Sequence, residues 1–132
     1  MFAGVTRRLV DAEAPLLEAH GLAMWEYIVL SRLVRGAAPN QLTLAREIRH
    51  DKTRLITLLD QLQQRGLIDR RPDPADRRSH TVMITPEGRA LQEAVRAKIR
   101  DMEDGFLTVL STAERRSLLG LLPRLVTDED QL

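Results

Sequence analysis

Leucine and other aliphatic residues recur at helical spacing through most of this chain, and the pattern changes at one place. From residue 51 to 65 the leucines stand three or four residues apart, as on one face of an α-helix: Leu55, Leu58, Leu59 and Leu62. Between residues 67 and 84 the helical spacing stops, and two short runs flank the turn-rich sequence PDPADRRSH. The chain therefore predicts a mainly helical fold with one small β-hairpin.

Turn and capping residues divide the chain into elements. Asp51 and Thr85 are predicted N-caps, and Gly66 is a predicted helix stop. Pro15 and Pro123 predict local interruptions of their helices. The elements expected are helices over 3–19, 22–34, 43–49, 51–65 and 86–106, strands over 67–71 and 81–84 joined by a charged loop over 72–80, and a last helix that opens at the capping box Ser111-Thr112-Ala113-Glu114.

Positive charge is concentrated in the middle of the chain, although the whole chain carries a formal charge of only +1. Residues 40–80 hold nine Lys and Arg against six Asp and Glu, whereas residues 85–132 hold seven against nine. A local excess matters more for binding a polyanion than the total does. The distribution therefore favours a nucleic-acid partner for the middle segment.

Several patterns are missing from the sequence, and their absence excludes classes of function. No cysteine is present, which excludes a disulfide framework, a thiolate zinc site and a cysteine redox switch. His20, His50 and His80 show no metal-ligand spacing, and no nucleophile, base and oxyanion donor are grouped together. No stretch approaches the ~18 apolar residues of a membrane span, and no signal peptide is recognisable. We expect a cytoplasmic protein that is not an enzyme and needs no cofactor, metal or membrane.

The predicted order of helix, short helix, longer helix and hairpin is that of a winged helix-turn-helix. In such motifs the N-terminal part of the second helix enters the major groove and reaches base edges. The leucines of segment 51–65 occupy the face toward the domain, which leaves four polar residues of the first two turns for DNA: Lys52, Thr53, Arg54 and Thr57. Arg54 suits guanine and Lys52 suits a phosphate, and the threonines permit close approach to a base. A basic helix face of this kind can also be merely solvated.

The predicted hairpin offers a second DNA contact through its charged loop. Arg77 and Arg78 lie where the loop projects farthest, and an arginine there can enter an A·T-rich minor groove. Asp76 is expected to hold one of these arginines or a nearby backbone amide, and so to fix the shape of the loop. A charged tip also discourages edge-to-edge pairing of sheets, which is an alternative that needs no DNA.

The segment from Leu42 to Leu91 resembles the core of the multiple antibiotic resistance regulator (MarR) family. The residues that carry the resemblance are Leu44-Ala45, Leu62, the run Arg65-Gly66-Leu67-Ile68, Arg70, the sequence DPADRR, Ile84-Thr85 and Gly88-Arg89. The resemblance implies a single domain over 1–132, with a winged helix-turn-helix over 22–84 and dimerisation helices over 1–19 and 86–132. It also implies a homodimeric transcriptional repressor that binds double-stranded DNA at a pseudo-palindromic operator.

Members of that family often release DNA when a small, commonly aromatic ligand binds, and the resemblance implies such an effector here. Its pocket is expected between the DNA-binding lobe and the helices around residues 20–27, with His20, Trp25 and Tyr27 as candidate contacts. Trp25 has an equally good interpretation as a core residue. Tyr27 is equally well explained as a residue at the boundary between lobes.

A winged helix also permits a different function, because a fold does not determine what it binds. The alternative is a module that docks a protein partner and has no specific DNA binding. The two functions differ in one measurable property, since DNA binding through phosphate contacts weakens steeply with salt.

Overall fold

The computed structural model describes residues 1–126, which form six α-helices and one antiparallel hairpin. The mainly helical fold with a small hairpin is therefore confirmed. The last six residues of the expected dimerisation segment 86–132 lie outside the described residues. The elements are α1 Phe2–Ala19, α2 Met24–Val34, α3 Gln41–Glu47, α4 Lys52–Gln64, β1 Ile68–Asp73, β2 Asp76–Ile84, α5 Pro86–Phe106 and α6 Thr112–Leu121, with 3₁₀ turns at Leu107–Val109 and Leu122–Leu125.

The helices α2, α3 and α4 and the hairpin form the first lobe of the domain, and the leucine face of α4 is at its centre, as the spacing predicts. Leu55, Leu59 and Leu62 are fully buried, and Leu58 packs against them from the edge. They meet aliphatic residues of α2, α3 and the hairpin, which are Val29, Leu30, Leu33, Leu44, Ile68 and Val82. Burying each of these side chains contributes about 1.5–3 kcal/mol to the stability of the fold. The aliphatic core therefore holds α4 to the domain by one of its faces, and the other faces remain free.

The hairpin is attached to the lobe by backbone hydrogen bonds as well as by packing. The amide of Ala38 donates to the carbonyl of Val82 at 2.9 Å, and the amide of Val82 donates back to Ala38 at 3.0 Å. Ala38 lies between α2 and α3, so the segment that joins these helices pairs with β2 through this one-residue bridge. The base of the hairpin is consequently fixed, whereas its far end projects from the lobe.

The long helix α5 connects the first lobe to α1. It packs against both α1 and α2, and its Val95 and Ile99 are buried there beside Leu17 of α1. In contrast, α6 buries none of its residues within this single chain.

Predicted caps define several of the helix ends. The Asp51 carboxylate accepts from the amide of Arg54 at 3.0 Å and begins α4, and Gly66 ends the helix at φ +73°. The Thr85 hydroxyl accepts from the amide of Gly88 at 3.0 Å and donates to the carbonyl of Gly66 at 2.6 Å. One threonine therefore caps α5 and ties it to the end of α4. The Ser111 capping box is also present.

The expected boundaries of α3 and α1 are wrong in detail. The third helix spans Gln41–Glu47 because the Asn40 side chain caps it, accepting from the amide of Thr43 at 2.7 Å. The first helix continues through Pro15 without a new start. Pro15 removes one helical hydrogen bond to the carbonyl of Asp11, and both residues are exposed, so water can replace the missing donor.

The expected long loop over 72–80 is also wrong. The two strands pair from Ile68 with Ile84 as far as Asp73 with Asp76, so the connection shortens to Pro74 and Ala75. The Asp73 carboxylate accepts from the amide of Ala75 at 2.9 Å, which closes the turn on a side chain. At the other end of the chain, α6 stops at Leu121 and continues past Pro123 only as a 3₁₀ turn.

Candidate nucleic-acid interface

The first two turns of α4 present polar side chains to solvent. Lys52, Thr53, Arg54 and Thr57 are all exposed, while Leu55 and Leu59 between them are fully buried. The separation follows from the 3.6-residue period, because the leucines occupy one face and leave the others free. The cap at Asp51 also matters, since it makes α4 begin at Lys52.

Arg77 and Arg78 lie in the first residues of β2, next to the two-residue turn, and both are exposed. The Asp76 carboxylate accepts a hydrogen bond from the backbone amide of Arg78 at 3.0 Å. Of the two contacts considered for Asp76 from the sequence, the structure therefore contains the one with a backbone amide. Pro72 pairs with His80 and Asp73 pairs with Asp76, so Arg77 and Arg78 lie in an irregular stretch of β2 between these two pairs, where the strand bends.

A crevice of about 270 Å³ brings the start of α4 and the hairpin together. Lys52 lines it from α4 and Arg78 lines it from β2. The other residues that line it are Asn40, Gln41, Leu42, Asp76, Ser79 and His80, and of these the sequence indicated only Asp76 as a site residue. His80 falls within the predicted loop over 72–80, whereas in the structure it belongs to β2 and lies on the same face as buried Val82, toward α3 and α4.

Arg70 on β1 is one of the residues that carry the family resemblance, but its contacts could not be predicted from the sequence. Its Nε donates to the Gln63 side-chain oxygen of α4 at 2.7 Å, and its Nη1 donates to the Gln41 side-chain oxygen of α3 at 3.2 Å. Its Nη2 makes an ion pair with Asp60 of α4. One guanidinium thus joins the hairpin to both helices of the helix-turn-helix.

The three residues expected at a ligand pocket have different neighbours in the structure. The ring of Trp25 lies 4.3 Å from the ring of His50, between centroids, and so contacts the turn before α4. The Nδ1 atom of His20 lies 2.8 Å from the carbonyl oxygen of Leu16, at the end of α1. Tyr27 lines a groove between α2 and α5 whose lining includes neither of the other two.

That groove has a volume of about 460 Å³ and a mixed lining. Ile28 and Ile99 are apolar, whereas Arg96, Arg100 and Glu103 bring charge, and Tyr27, Ser31 and Gln92 bring neutral polar groups. Burial raises the pKa of the Tyr27 hydroxyl above its ordinary value.

Gln92 is a buried polar residue of this groove that is only partly hydrogen-bonded. It is 4% exposed, and its side-chain nitrogen lies 3.4 Å from the Ser31 hydroxyl. Its side-chain oxygen is buried and has no hydrogen-bond partner. An unsatisfied buried acceptor costs about 1–3 kcal/mol, so a donor that reached this oxygen would lower the free energy of the folded chain.

Apolar side chains remain exposed at two ends of the chain. Phe2, Val5 and Val10 are exposed on α1, and a second group follows on α6 and the turn after it, namely Leu119, Leu121, Leu122, Leu125 and Val126. Patches of this kind on a single chain mark interaction surfaces.

Residues 1–126 contain neither a candidate metal site nor a helix that could cross a membrane. Within that range, no three His, Cys, Asp or Glu side chains are grouped so as to hold a metal ion. None of the helices described has the length and apolar character needed to cross a bilayer.

Comparison with known proteins identifies similar chains. A model of the MarR family matches residues 20–79. A Thauera aromatica protein assigned as the transcriptional regulator of the hcr operon is 34% identical over 106 residues, which cover 80% of this chain and 63% of that protein. A probable transcriptional regulator from Pseudomonas aeruginosa, known from its crystal structure, is 32% identical with a TM-score of 0.72 over 96% of this chain and 97% of that one.

A structure with DNA is also among the similar chains. The transcriptional repressor CouR, solved bound to a 23-mer DNA duplex, is 27% identical with a TM-score of 0.78, over 94% of this chain and 88% of that one. The chain spans about two thirds of the length of the curated relatives that it matches.

Proposed function

Because the chain belongs to the MarR family, we propose that it is a sequence-specific DNA-binding transcriptional regulator that acts as a homodimeric repressor. One observation carries the proposal: Lys52 of α4 and Arg78 of the hairpin line the same crevice. In this proposal the recognition helix and the hairpin, which is the wing, act together, and Lys52 and Arg78 supply the positive charge that faces the duplex.

The proposed contacts follow from the chemistry of each side chain. Arg54 hydrogen-bonds a base edge in the major groove, where its fork matches the O6 and N7 atoms of guanine. Thr53 and Thr57 approach bases or a thymine methyl group, and Lys52 neutralises a phosphate. The duplex strand between the two grooves then passes the crevice between α4 and the hairpin.

The wing completes the proposed interface. Arg77 and Arg78 reach the minor groove, where a narrow A·T-rich segment concentrates negative potential. Asp76 contributes indirectly, because its bond to the Arg78 amide fixes the strand next to the turn. The relative CouR, which was solved bound to a DNA duplex, supports DNA binding by the present chain.

The homodimer is proposed from the exposed apolar residues of α1 and α6. A helix such as α6, with no buried residue, gains its packing only from another surface. A second copy of the chain can supply that surface, and two-fold pairing would then place two α4 helices about one helical turn apart on DNA. Sedimentation of the wild type against the double variant Leu119→Glu, Leu122→Glu tests this, with a dimer expected for the first and a monomer for the second.

Footprinting on the DNA that flanks the chain's own gene tests the proposed function. We expect protection of a pseudo-palindromic segment, with affinity that falls at least about a hundredfold between roughly 50 and 200 mM salt. Absence of any protected segment, or an affinity that does not change with salt, would instead support a module that docks a protein.

We also propose a small aromatic effector, and we place its site in the groove between α2 and α5. Support comes from Tyr27, from Arg96 and Arg100 as partners for an acid, and from the unsatisfied oxygen of Gln92. Benzoate and 4-hydroxybenzoate serve as probes in footprinting. We expect protection to weaken with a probe that fits, and Gln92→Leu to make the protein insensitive to it. Of the residues expected from sequence, this proposal retains Tyr27 and leaves out His20 and Trp25.

A further inference from the structure

We propose that Arg70 is a positioning residue for DNA binding, which sets the orientation of the hairpin relative to α4. The inference depends on the proposed function, because orientation matters only if helix and wing bind one duplex. It concerns a residue that makes no contact with DNA itself.

The contacts of Arg70 span three elements. From β1 its guanidinium reaches Asp60 and Gln63, one helical turn apart on α4, and Gln41 in the first turn of α3. A guanidinium is planar and its donors have fixed directions, so three acceptors on two helices determine its orientation closely. Arg70 consequently fixes the strand in direction as well as in distance.

Because Arg70 lies at the base of the hairpin, a small change in the orientation of the strand there causes a larger displacement of the turn. It pairs with Val82, the residue that bridges to Ala38, and the strands continue beyond it to Asp73 and Asp76. Three residues at ~3.3 Å each put the turn about 10 Å above Arg70. A tilt of about 10° at the base therefore moves the turn by roughly 2 Å, which exceeds the tolerance of about 0.5 Å for a preorganised site.

Direct binding of DNA by Arg70 is disfavoured by its surroundings. Its side chain is only 18% exposed, and each of its three nitrogens donates to a side-chain acceptor. Arg71, the next residue, differs in all these respects. Its side chain is 71% exposed, and its recorded ion pair is with Asp69 on the same strand. The two arginines therefore form a matched pair, with one charge each in adjacent positions.

A double-mutant cycle on a footprinted duplex tests the proposal. The four proteins are the wild type, Arg70→Gln, the wing variant Arg77→Ala, Arg78→Ala, and the combination of all three changes. Arg70→Gln is expected to weaken binding roughly tenfold in the wild type and less than about twofold in the wing variant, because a misplaced wing costs nothing once its cations are gone. Arg71→Gln controls for the lost charge and is expected to change binding less than about threefold.

Each result decides the inference. An equal loss from Arg70→Gln in both backgrounds would show a role confined to stability or a direct phosphate contact, and would overturn it. If Arg70→Gln fails to fold, as judged by thermal unfolding, Gln63→Ala removes one acceptor from the exposed side, and its smaller loss must likewise vanish in the wing variant. A wild type that binds no duplex would refute the proposed function and this inference together, whereas an additive cycle on a bound duplex refutes the inference alone.

Discussion

Arg54 occupies a position where its backbone and its side chain have separate roles. Its amide donates to the Asp51 carboxylate at 3.0 Å and helps to begin α4, whereas its side chain is exposed. Replacement by alanine keeps the amide and removes only the guanidinium. The substitution therefore reports on DNA contact without disturbing the cap.

We expect Arg54→Ala to weaken binding to the operator by about 1–3 kcal/mol and binding to random DNA much less, because a base contact carries the sequence information. Fluorescence anisotropy on the two duplexes measures the difference. Lys98→Ala, at an exposed position of α5, is the control for loss of one positive charge. Equal losses on both duplexes would assign Arg54 to a phosphate instead.

Glu13 on α1 is a residue whose ionisation opposes folding. Burial raises the pKa of its carboxyl above the ordinary value of 4.5, and the nearby Glu103 carboxylate raises it further. The folded chain therefore binds the proton more tightly than the unfolded chain does. Ionisation of this glutamate therefore lowers the stability of the fold as the pH rises through its folded pKa, and the penalty is absent below about 4.5.

Glu13→Gln is consequently expected to raise the Tm at pH 7.5 and to have little effect at pH 4. Thermal unfolding followed by circular dichroism at the two pH values provides the test. The same change at Glu93, an exposed residue of α5, serves as the comparison. A gain in Tm that is the same at both pH values would contradict the assignment to ionisation of Glu13.

Individual elements differ in how far the sequence predicts them. The helix α4 was predicted almost to the residue, because its cap, its leucine period and its glycine stop are all local signals. The hairpin was predicted too short. Residues 72–80 have a turn-like composition, but all of them except Pro74 and Ala75 belong to the two strands, because Pro72 pairs with His80 and Asp73 pairs with Asp76 across the hairpin. Pairing of this kind is tertiary, so a window along the sequence does not contain it.

The junction between the hairpin and α5 depends on Gly88. A Cβ atom added there would lie 2.0 Å from the Leu67 carbonyl oxygen and 2.9 Å from the Ile84 Cγ1 atom. The first of these neighbours is backbone and cannot rotate away. Any larger residue must push α5 from the base of the hairpin.

Gly88→Ala is therefore expected to lower the free energy of unfolding by at least about 1–3 kcal/mol, through overpacking. Gly105→Ala in the same helix is the matched control, since nothing lies within 4 Å of its added Cβ, and it is expected to raise stability by up to about 1 kcal/mol. Urea unfolding of both variants measures the two effects. A Gly88→Ala protein as stable as the wild type would show that the junction is less tightly packed than described.

On the scale of the whole molecule, local pattern predicted the class of fold but not the relations between distant residues. The order of helices and hairpin was evident from period and caps. Lys52 lines one crevice with Arg78, which lies 26 positions away, and Arg70 donates a hydrogen bond to Gln41, which lies 29 positions away. These residues come together only because the helices and the hairpin pack on one core. For the same reason His20, Trp25 and Tyr27, close in sequence, face different neighbours.

The central claim is that two copies of the chain present their α4 helices to successive turns of one duplex. The most direct measurement compares affinity for the footprinted operator with affinity for a version carrying five base pairs inserted at its centre. The insertion rotates one half-site by about half a turn, so we predict that binding falls to the level of a single half-site. Unchanged affinity for the lengthened operator would contradict the account.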